Sequence, residues 1–267
     1  MLQSKKMKIA VVVTSCDAFQ ECWEPFIYSV NKYWNDCPWD IFLISNYNSI
    51  ENNRVKFIKV GEDKGWASNL KTAINQIDAE YIIYLHEDFF INKKVNTDEI
   101  ITHLTYCKNN KIDYLGLNGP FFDQFAIKET FYALSPQSKR YRLCLQSAIW
   151  NKLAFNQLLI NGFNAWQFEW EIENYIKKHS LNIKSIVLQS HYHPDMAISY
   201  VEDTAVHKGM WTINGYNYLK VHGFENVLNK RKKEGKIITL LIHNNVKWLR
   251  PFSAGLLRIL LKFKINI

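Results

Sequence analysis

Short, almost uninterrupted apolar runs constrain the fold of this chain most strongly. In its N-terminal third these runs are Lys8–Thr14, Asp40–Ser45, Val55–Val60 and Tyr81–Leu85. Continuous runs of this kind are typical of strands buried on both faces of a parallel sheet. Apolar residues at helical spacing follow the first and third runs, so the order is strand, helix, strand, strand, helix, strand. We therefore predict an α/β fold with a mostly parallel, Rossmann-like central sheet flanked by helices.

The following part of the chain has a less regular pattern. We predict strands at Ile112–Leu117, Tyr141–Gln146 and Ile186–Leu188, a long loop at Gly119–Gln137, and helices at Ser147–Ile160 and Trp166–Lys178. Neither an internal repeat nor a low-complexity linker divides this part from the first strands. We therefore predict one large domain over residues 1–228.

The basic character of the chain is concentrated at its C-terminus. Residues 228–267 contain ten Lys or Arg and one acidic residue, a net charge of +9, whereas the remaining residues together carry −1. The body is thus almost neutral, which argues against nucleic acid as a partner, because a basic footprint would lie on the folded domain. Residues 229–267 are predicted to form a basic, amphipathic, helical tail that binds an anionic membrane surface. Packing of this tail on the body or on a partner chain is the alternative.

The cysteines and the N-terminus bear on where the protein works. Five cysteines are scattered without a paired CxxC spacing, which favours neither a zinc site nor a disulfide framework. The first apolar run is shorter than that of a secretory signal, and no run reaches the roughly 18 apolar residues of a membrane span. We predict a cytoplasmic protein, peripheral on the inner face of the cytoplasmic membrane through its tail.

Polar or conformationally permissive residues follow the predicted strands. They are Thr14, Ser15, Asp17, Asn46, Asp63, Gly65, His86, Glu87 and Asp88. In an open parallel sheet, ligands bind beyond the carboxyl ends of the strands. Gly65 permits a tight turn, and the helix that follows, with Trp66, Ser68 and Asn69, offers an N-terminus that favours anions. The chain lacks GxGxxG after its first strand and has no GxxxxGK[ST] segment, so neither a dinucleotide oxidoreductase nor a P-loop kinase is indicated.

Five segments, in this order, carry a family resemblance: VVVTSCDAFQECWEPF, VGEDKGWASNLKTAINQIDAEYIIYLHEDFFI, RLCLQSAIWNK, WQFEWE and AVHKGMW. They resemble bacterial glycosyltransferases of the GT-A type, and most closely those of capsule and O-antigen polysaccharide biosynthesis. The resemblance covers about residues 7–220. It implies a donor half at about residues 1–118 and an acceptor half at about residues 119–228.

The resemblance implies a divalent metal, Mn²⁺ or Mg²⁺, on the diphosphate of a nucleotide-sugar. In such enzymes an acidic DxD motif after the fourth strand holds this ion, and a hard cation on oxygen ligands offsets the charge of the leaving diphosphate. Here the triplet is His86-Glu87-Asp88, with histidine in the first acidic place. Asp88 and Glu87 are the expected ligands, with His191 or His193 completing the set. The alternative is that these acids cap a helix or lie in a surface turn.

The resemblance also implies an acceptor site. An inverting transferase needs a carboxylate to deprotonate the attacking hydroxyl, and by likeness to the WQFEWE segment Glu169 is the expected base, with Glu171 in reserve. Trp166 would stack on a sugar face. Further residues expected along the cleft are Arg142 and Gln146 for the acceptor and Lys208 for the diphosphate. The alternative is that both acids belong to the solvated face of a helix.

Together these features predict a sugar-nucleotide-dependent glycosyltransferase, inverting in stereochemistry, that acts on a cell-surface glycan or lipid-linked oligosaccharide. One alternative is a nucleotidyltransferase that makes an activated sugar, although the TSCDAFQECW segment lacks the glycine-rich, basic character of such enzymes. The other alternative is a non-catalytic glycan- or membrane-binding protein of the same fold.

Overall fold

A computed structural model describes residues 7–117, 125–134, 142–189, 197–201 and 204–235. The chain divides into two compact units, Met1–Tyr200 and Val201–Ile267. The boundary that we predicted before residue 229, and the donor and acceptor halves, remain predictions. Residues 236–267, which make up most of the predicted amphipathic tail, lie outside the described ranges.

The first unit is built on a nine-stranded sheet. Its strands are β1 (Ile9–Thr14), β2 (Ile41–Ser45), β3 (Val55–Lys59), β4 (Tyr81–His86), β5 (Tyr114–Gly116), β6 (Phe125–Ala126), β7 (Tyr132–Leu134), β8 (Ala148–Asn151) and β9 (Ser185–Leu188). Their order across the sheet is β3-β2-β1-β4-β8-β5-β9-β7-β6. The predicted strands at the first four apolar runs are therefore confirmed.

Most strands of the sheet run in one direction. The block β3-β2-β1-β4 is parallel throughout, and β5 and β9 are parallel to each other. Only β8 and β7 are reversed, because each pairs antiparallel with both of its neighbours. The predicted α/β architecture with a mostly parallel sheet is confirmed.

Helices cover both faces of the sheet. They are α1 (Trp23–Tyr33), α2 (Trp66–Ile74), α3 (Thr97–Asn110), α4 (Lys152–Leu158) and α5 (Ala165–Lys178). One face buries Val12 and Tyr84 in a core that includes α2, α4 and α5. On the other face, Trp23 at the start of α1 packs edge-on against Phe57, with 5.1 Å between ring centroids. Successive residues of a strand point to opposite faces, so the continuous apolar runs fill both cores.

Strand β8 departs from our prediction. We predicted a strand at Tyr141–Gln146 and a helix from Ser147, whereas residues 142–147 form no strand and β8 begins at Ala148. The cause is tertiary: Ala148, Ile149 and Trp150 are buried between β4 and β5 and pair with both. The segment predicted as a loop at Gly119–Gln137 is also corrected in part, since it contains β6 and β7.

The second unit contains a small hairpin and two helices. Its elements are β10 (Val206–His207), β11 (Met210–Trp211), α6 (Ile213–Val221) and α7 (Glu225–Leu228). Gly215 on α6 lies so close to the backbone of Ala205 that a Cβ atom would be 2.4 Å from the Ala205 carbonyl oxygen. The imidazole Nδ1 of His207 lies 3.1 Å from the buried carboxylate of Glu234.

None of the helices in the described ranges is both long enough and apolar enough to span a membrane.

Candidate active site

The carboxyl ends of the parallel strands form one polar edge in the first unit. Thr14 and His86, the last residues of β1 and β4, are register partners. Asp17 and Asn46, which follow β1 and β2, bond reciprocally: the Asp17 amide donates to Asn46 Oδ1 at 3.0 Å, and the Asn46 amide donates to Asp17 Oδ1 at 2.8 Å. The structure thus brings together residues that the sequence places at separate strand ends.

The Asp17 carboxylate organises the loop that follows β2. Besides the Asn46 amide, it accepts hydrogen bonds from the amides of Tyr47 and Asn48, at 3.0 and 3.2 Å. The Asn46 side chain in turn donates to the carbonyl of Gly61, at 3.0 Å. Backbone N–H groups therefore occupy much of the hydrogen-bonding capacity of the Asp17 carboxylate. Its contact with a nucleotide remains a prediction.

The side chains of Asp63 and Asn69 shape the turn into α2. Asp63 Oδ1 accepts from the amide of Gly65 at 2.9 Å and from the side chain of Asn69 at 2.7 Å, and Asn69 Oδ1 accepts from the Lys64 amide at 3.1 Å. Gly65 has φ +86° and ψ 162°, a conformation essentially restricted to glycine. The side chains of Asp63 and Asn69 thus fix the conformation of the DKG turn. Ser68 lies partly buried in the first turn of α2.

Three carboxylates influence the partly exposed thiol of Cys16. Burial raises its pKa most, and the negative charges of Glu87, Asp63 and Asp17 raise it further. The negative charges of carboxylates from three different strand ends therefore act on this one position. This region is therefore suited to a cation or to a cation-bound anion.

His86, Glu87 and Asp88 form a group whose ligand atoms all lie within 4.8 Å of one another. Glu87 and Asp88 are 5% and 7% exposed. Two buried carboxylates side by side match the oxygen ligands that Mg²⁺ and Mn²⁺ prefer. The donor set thus fits a divalent cation. His191 and His193, the further ligands expected from the sequence, lie outside the described residues.

A chain of polar contacts runs from α2 to β4. Trp66 Nε1 donates to the hydroxyl of Tyr84 at 3.2 Å, and this hydroxyl lies 2.9 Å from His86 Nε2. Burial lowers the pKa of His86 to about 4, partly opposed by a hydrogen bond to the Leu145 backbone. The imidazole is therefore neutral at physiological pH. Trp66 also packs against Phe168 of α5, with ring centroids 5.3 Å apart.

Glu169 is the better-placed of the two predicted bases. It is partly buried on α5, and its Oε1 accepts a hydrogen bond from the Leu145 amide at 2.7 Å. Burial raises the pKa of Glu169, against the lowering effect of that bond. Glu171 is exposed and accepts from Asn174 on the same helix at 3.0 Å. Glu169 thus combines a fixed orientation with the raised pKa that is useful to a general base.

The predicted acceptor residues differ in their exposure to solvent and in their partners. Trp166, at the start of α5, is 61% exposed, and Gln146 accepts a hydrogen bond from Tyr200. Arg142 is 3% exposed and its Nε donates to the buried Glu173 at 2.8 Å. The structure therefore gives Arg142 an interior ion pair, and its part in acceptor binding stays a prediction. Lys208 lies in the hairpin turn of the second unit, with φ +48°.

Three residues that we did not predict as part of the site contact predicted site residues. They are Tyr84, Leu145 and Glu173. The strand alternation of YIIYLH places Tyr84 and His86 on one face, which was a usable signal. Leu145 acts through its backbone, and Glu173 finds its partner across the fold, so neither role has a local sequence signal.

Comparison with known proteins gives one family match. Residues 26–122 match the model of a family described as "Glycosyltransferase like family". This range spans α1 to the residues after β5 and includes Asn46, Asp63, Glu87 and Asp88. None of the curated proteins matches the chain in sequence.

Solved structures resemble the chain in outline. S. aureus TarS is 16% identical over 83% of this chain and 40% of its own, with a TM-score of 0.47. TarS 1-349 in complex with UDP-GlcNAc is 15% identical over 83% of this chain and 67% of its own, with a TM-score of 0.46. A cytidylyltransferase from Leptospira borgpetersenii serovar Hardjo-bovis is 11% identical over 68% of this chain and 76% of its own, with a TM-score of 0.43.

This chain covers less than half of the length of the TarS chain that it resembles. Identities and TM-scores this low identify neither a substrate nor a reaction. The family match agrees with the enzyme class that the sequence predicts, and it supports glycosyl transfer as the reaction of this chain.

Proposed function

We propose that this chain transfers a sugar from a nucleotide-sugar donor to a hydroxyl group of a cell-surface glycan or lipid-linked oligosaccharide, with inversion at the anomeric carbon. The observation that carries the proposal is the buried pair Glu87 and Asp88, at the carboxyl edge of the sheet and inside the range of the glycosyltransferase family match. The raised pKa of Glu169 also supports the proposal, because it suits this carboxylate to act as the general base.

The donor would lie across the ends of β1, β2 and β4. Glu87 and Asp88 would hold the divalent cation, which, when bound, offsets the negative charge that develops on the leaving diphosphate. The loop after β2, fixed by Asp17, and the turn before α2, fixed by Asp63, would line the remainder of the donor site.

Glu169 would take the proton of the acceptor hydroxyl. As that O–H bond breaks, the acceptor oxygen forms its bond to the anomeric carbon, and the bond from that carbon to the diphosphate oxygen breaks with its electron pair. The exposed Trp166, three residues before Glu169 on α5, offers an apolar surface on which an acceptor sugar ring would stack. A single displacement of this kind inverts the configuration.

A donor screen tests the proposal. Release of the nucleotide, which is UDP, GDP or CMP, from the corresponding nucleotide-sugar is measured with Mn²⁺, with Mg²⁺ and with EDTA. We expect turnover with one donor, and we expect Asp88→Asn to abolish the metal-dependent nucleotide stabilisation seen in thermal unfolding. The matched control is Asp98→Asn, at an exposed position in the first turn of α3. Metal-dependent stabilisation that survives in Asp88→Asn overturns the metal assignment.

The same screen separates the alternatives. Release of pyrophosphate from a nucleoside triphosphate and a sugar phosphate would identify a nucleotidyltransferase. Failure of every donor and acceptor, together with unaltered thermal stability on adding nucleotides, would leave a non-catalytic glycan- or membrane-binding protein.

A further inference from the structure

Glu87 and Asp88, the acidic pair, lie in a tight turn at the end of β4. The amide of Phe89 donates to the carbonyl of His86 at 3.2 Å, which is the hydrogen bond that closes a four-residue β-turn. One flank of the turn is fixed by the sheet, because His86 pairs with Thr14. The other flank is the buried Phe89. The placement of the two carboxylates therefore depends on how Phe89 is held.

Tyr200 holds Phe89 by aromatic stacking. The two ring planes are parallel, their centroids are 4.1 Å apart, and both side chains are buried. Tyr200 is itself fixed by the backbone, because Ile91 and Tyr200 form an antiparallel bridge and the Asn92 amide donates to the Ser199 carbonyl at 3.1 Å. The segment that follows the acidic pair is thus tied to Tyr200 both by its backbone and by a stacked ring.

The hydroxyl of Tyr200 reaches the segment that holds the proposed base. It donates to Oε1 of Gln146, the residue after Leu145. The Leu145 amide in turn donates to the carboxylate of Glu169 at 2.7 Å. A buried tyrosine hydroxyl usually has a hydrogen-bond partner, and this one joins the ring that supports the acidic pair to the backbone that supports Glu169.

We propose that Tyr200 is a positioning residue for both halves of the candidate active site. Its ring, through Phe89, fixes the turn that presents the acidic pair to a divalent cation. Its hydroxyl, through Gln146, fixes the backbone that orients Glu169. Tyrosine suits this position because it combines a flat apolar ring with one hydrogen-bond donor. The inference rests on the proposed function, in which the acidic pair and Glu169 act on the same substrates.

The two contacts of Tyr200 can be removed separately. Tyr200→Phe keeps the stack on Phe89 and removes the hydroxyl, whereas Tyr200→Leu removes both. We expect Tyr200→Phe to bind Mn²⁺ within about twofold of the wild type and to lose about 10-fold in kcat, as residues that orient the groups of a metal site do. Tyr200→Leu should weaken Mn²⁺ binding about 10- to 100-fold. Electron paramagnetic resonance, with and without UDP, measures Mn²⁺ binding independently of turnover.

Phe89→Leu removes the same stack from the side of the acidic pair. Its affinity for Mn²⁺ should fall as that of Tyr200→Leu does, with circular dichroism as the check on folding. Wild-type affinity for Mn²⁺ in a folded leucine variant overturns the role of the ring. If neither leucine variant folds, Tyr200→Phe still decides, since an unchanged kcat or a loss of Mn²⁺ binding in that variant contradicts the proposal.

Tyr132→Phe is the matched control for loss of a buried hydroxyl. Tyr132 is buried and its hydroxyl lies 2.9 Å from His103 Nδ1, but it belongs to β7, which three strands separate from β4. Both phenylalanine variants should lower the thermal stability, because each loses a buried hydrogen bond. Only Tyr200→Phe should lower kcat. An equal loss of kcat in both variants would show a general effect of stability and overturn the positioning role.

A double-mutant cycle tests the route through Gln146. Gln146→Leu removes the acceptor of the Tyr200 hydroxyl. If the hydroxyl acts through this acceptor, adding Tyr200→Phe to Gln146→Leu should lower kcat no further. Losses that multiply in the double variant overturn this route.

The two proposals fail in distinguishable ways. If no donor turns over but Tyr200→Leu weakens Mn²⁺ binding and Tyr200→Phe does not, the proposed function fails and the support of the acidic pair by Tyr200 stands. If turnover is found but Tyr200→Phe keeps the wild-type kcat, the proposed function stands and the positioning role is wrong. Turnover by a wild-type protein that binds no Mn²⁺ has the same meaning.

Discussion

At the scale of single residues, Glu169 has two properties that a general base requires. Its carboxylate is fixed by the amide of Leu145, and its burial raises its pKa. Removing the negative charge while keeping the hydrogen-bond acceptor isolates the chemical role from the structural one, since Gln Oε1 would still accept from that amide.

We therefore expect Glu169→Gln to lower kcat by about 10²- to 10⁴-fold, the usual contribution of general base catalysis. The measurement is initial-rate kinetics with the donor and acceptor found in the screen. Glu171→Gln discriminates between the two candidates, and its effect should be much smaller. A larger loss in Glu171→Gln than in Glu169→Gln would transfer the role of base to Glu171.

The raised pKa of Glu169 also makes a prediction about stability. A carboxyl whose pKa is higher in the folded than in the unfolded protein keeps its proton longer in the folded state. Its contribution to stability is therefore complete below the unfolded pKa and is lost as the pH rises through the folded pKa. At neutral pH, Glu169→Gln should thus have an unfolding free energy equal to or above that of the wild type.

Urea unfolding measured between pH 4 and pH 8 checks this. The difference in stability between Glu169→Gln and the wild type should grow in favour of the variant as the pH rises. A variant that is less stable than the wild type at pH 8 contradicts burial as the cause of the raised pKa.

At the scale of elements, helix α5 joins the interior to the proposed acceptor surface. Its inner face carries Glu173, which is paired with Arg142, and Arg142 Nη1 also donates to Ser185 Oγ on β9 at 2.9 Å. Its outer face exposes Trp166 and Trp170, one turn apart. The ion pair therefore fixes the helix that presents both the base and the tryptophans.

Breaking this ion pair should be costly. We expect Glu173→Ala to destabilise the protein by about 3–5 kcal/mol, because a buried guanidinium loses its counter-charge. Equilibrium urea unfolding is the measurement. On the same helix, the exposed Glu171→Ala serves as the control and should change stability by about 0.5 kcal/mol or less. A loss below about 1 kcal/mol in Glu173→Ala would contradict a buried pair.

The elements that sequence predicts well are those whose signal is local. The apolar runs predicted β1 to β4, and apolar residues at helical spacing predicted α1 and α2, because burial on both faces or on one stripe is recorded in nearby residues. β8 was misplaced because Ala148–Asn151 pairs with two strands, β4 and β5, that both precede it by more than thirty residues. Likewise, the hydrogen bond from Leu145 to Glu169 uses a backbone amide, which no side-chain pattern reveals.

At the scale of the whole molecule, the positive charge is concentrated at the C-terminus, away from the residues of the proposed active site. Residues 236–267 contain six Lys or Arg and no acidic residue, so their removal lowers the net charge from +8 to +2. We propose that this segment binds anionic lipid and brings the enzyme to a lipid-linked acceptor. This role is independent of the described site.

A chain ending at Gly235 tests that role. We expect it to keep turnover of a soluble acceptor and to lose co-sedimentation with vesicles containing phosphatidylglycerol. Full-length protein with neutral vesicles is the control, and binding of the full-length protein should weaken as salt is raised. Equal vesicle binding by both chains would show that the body, and not the segment, contacts lipid.

The position of β8 in the sheet has a consequence for how the chain assembles. β4 is complete at His86, yet the strand that covers its free edge begins only at Ala148. During synthesis, β4 therefore presents an unpaired row of backbone groups to solvent until the later segment emerges, and such edges invite association between chains. The acidic pair follows β4, so the proposed cation site acquires its full surroundings late. Nascent chains that stop short of β8 would thus be prone to aggregation before they could bind any donor.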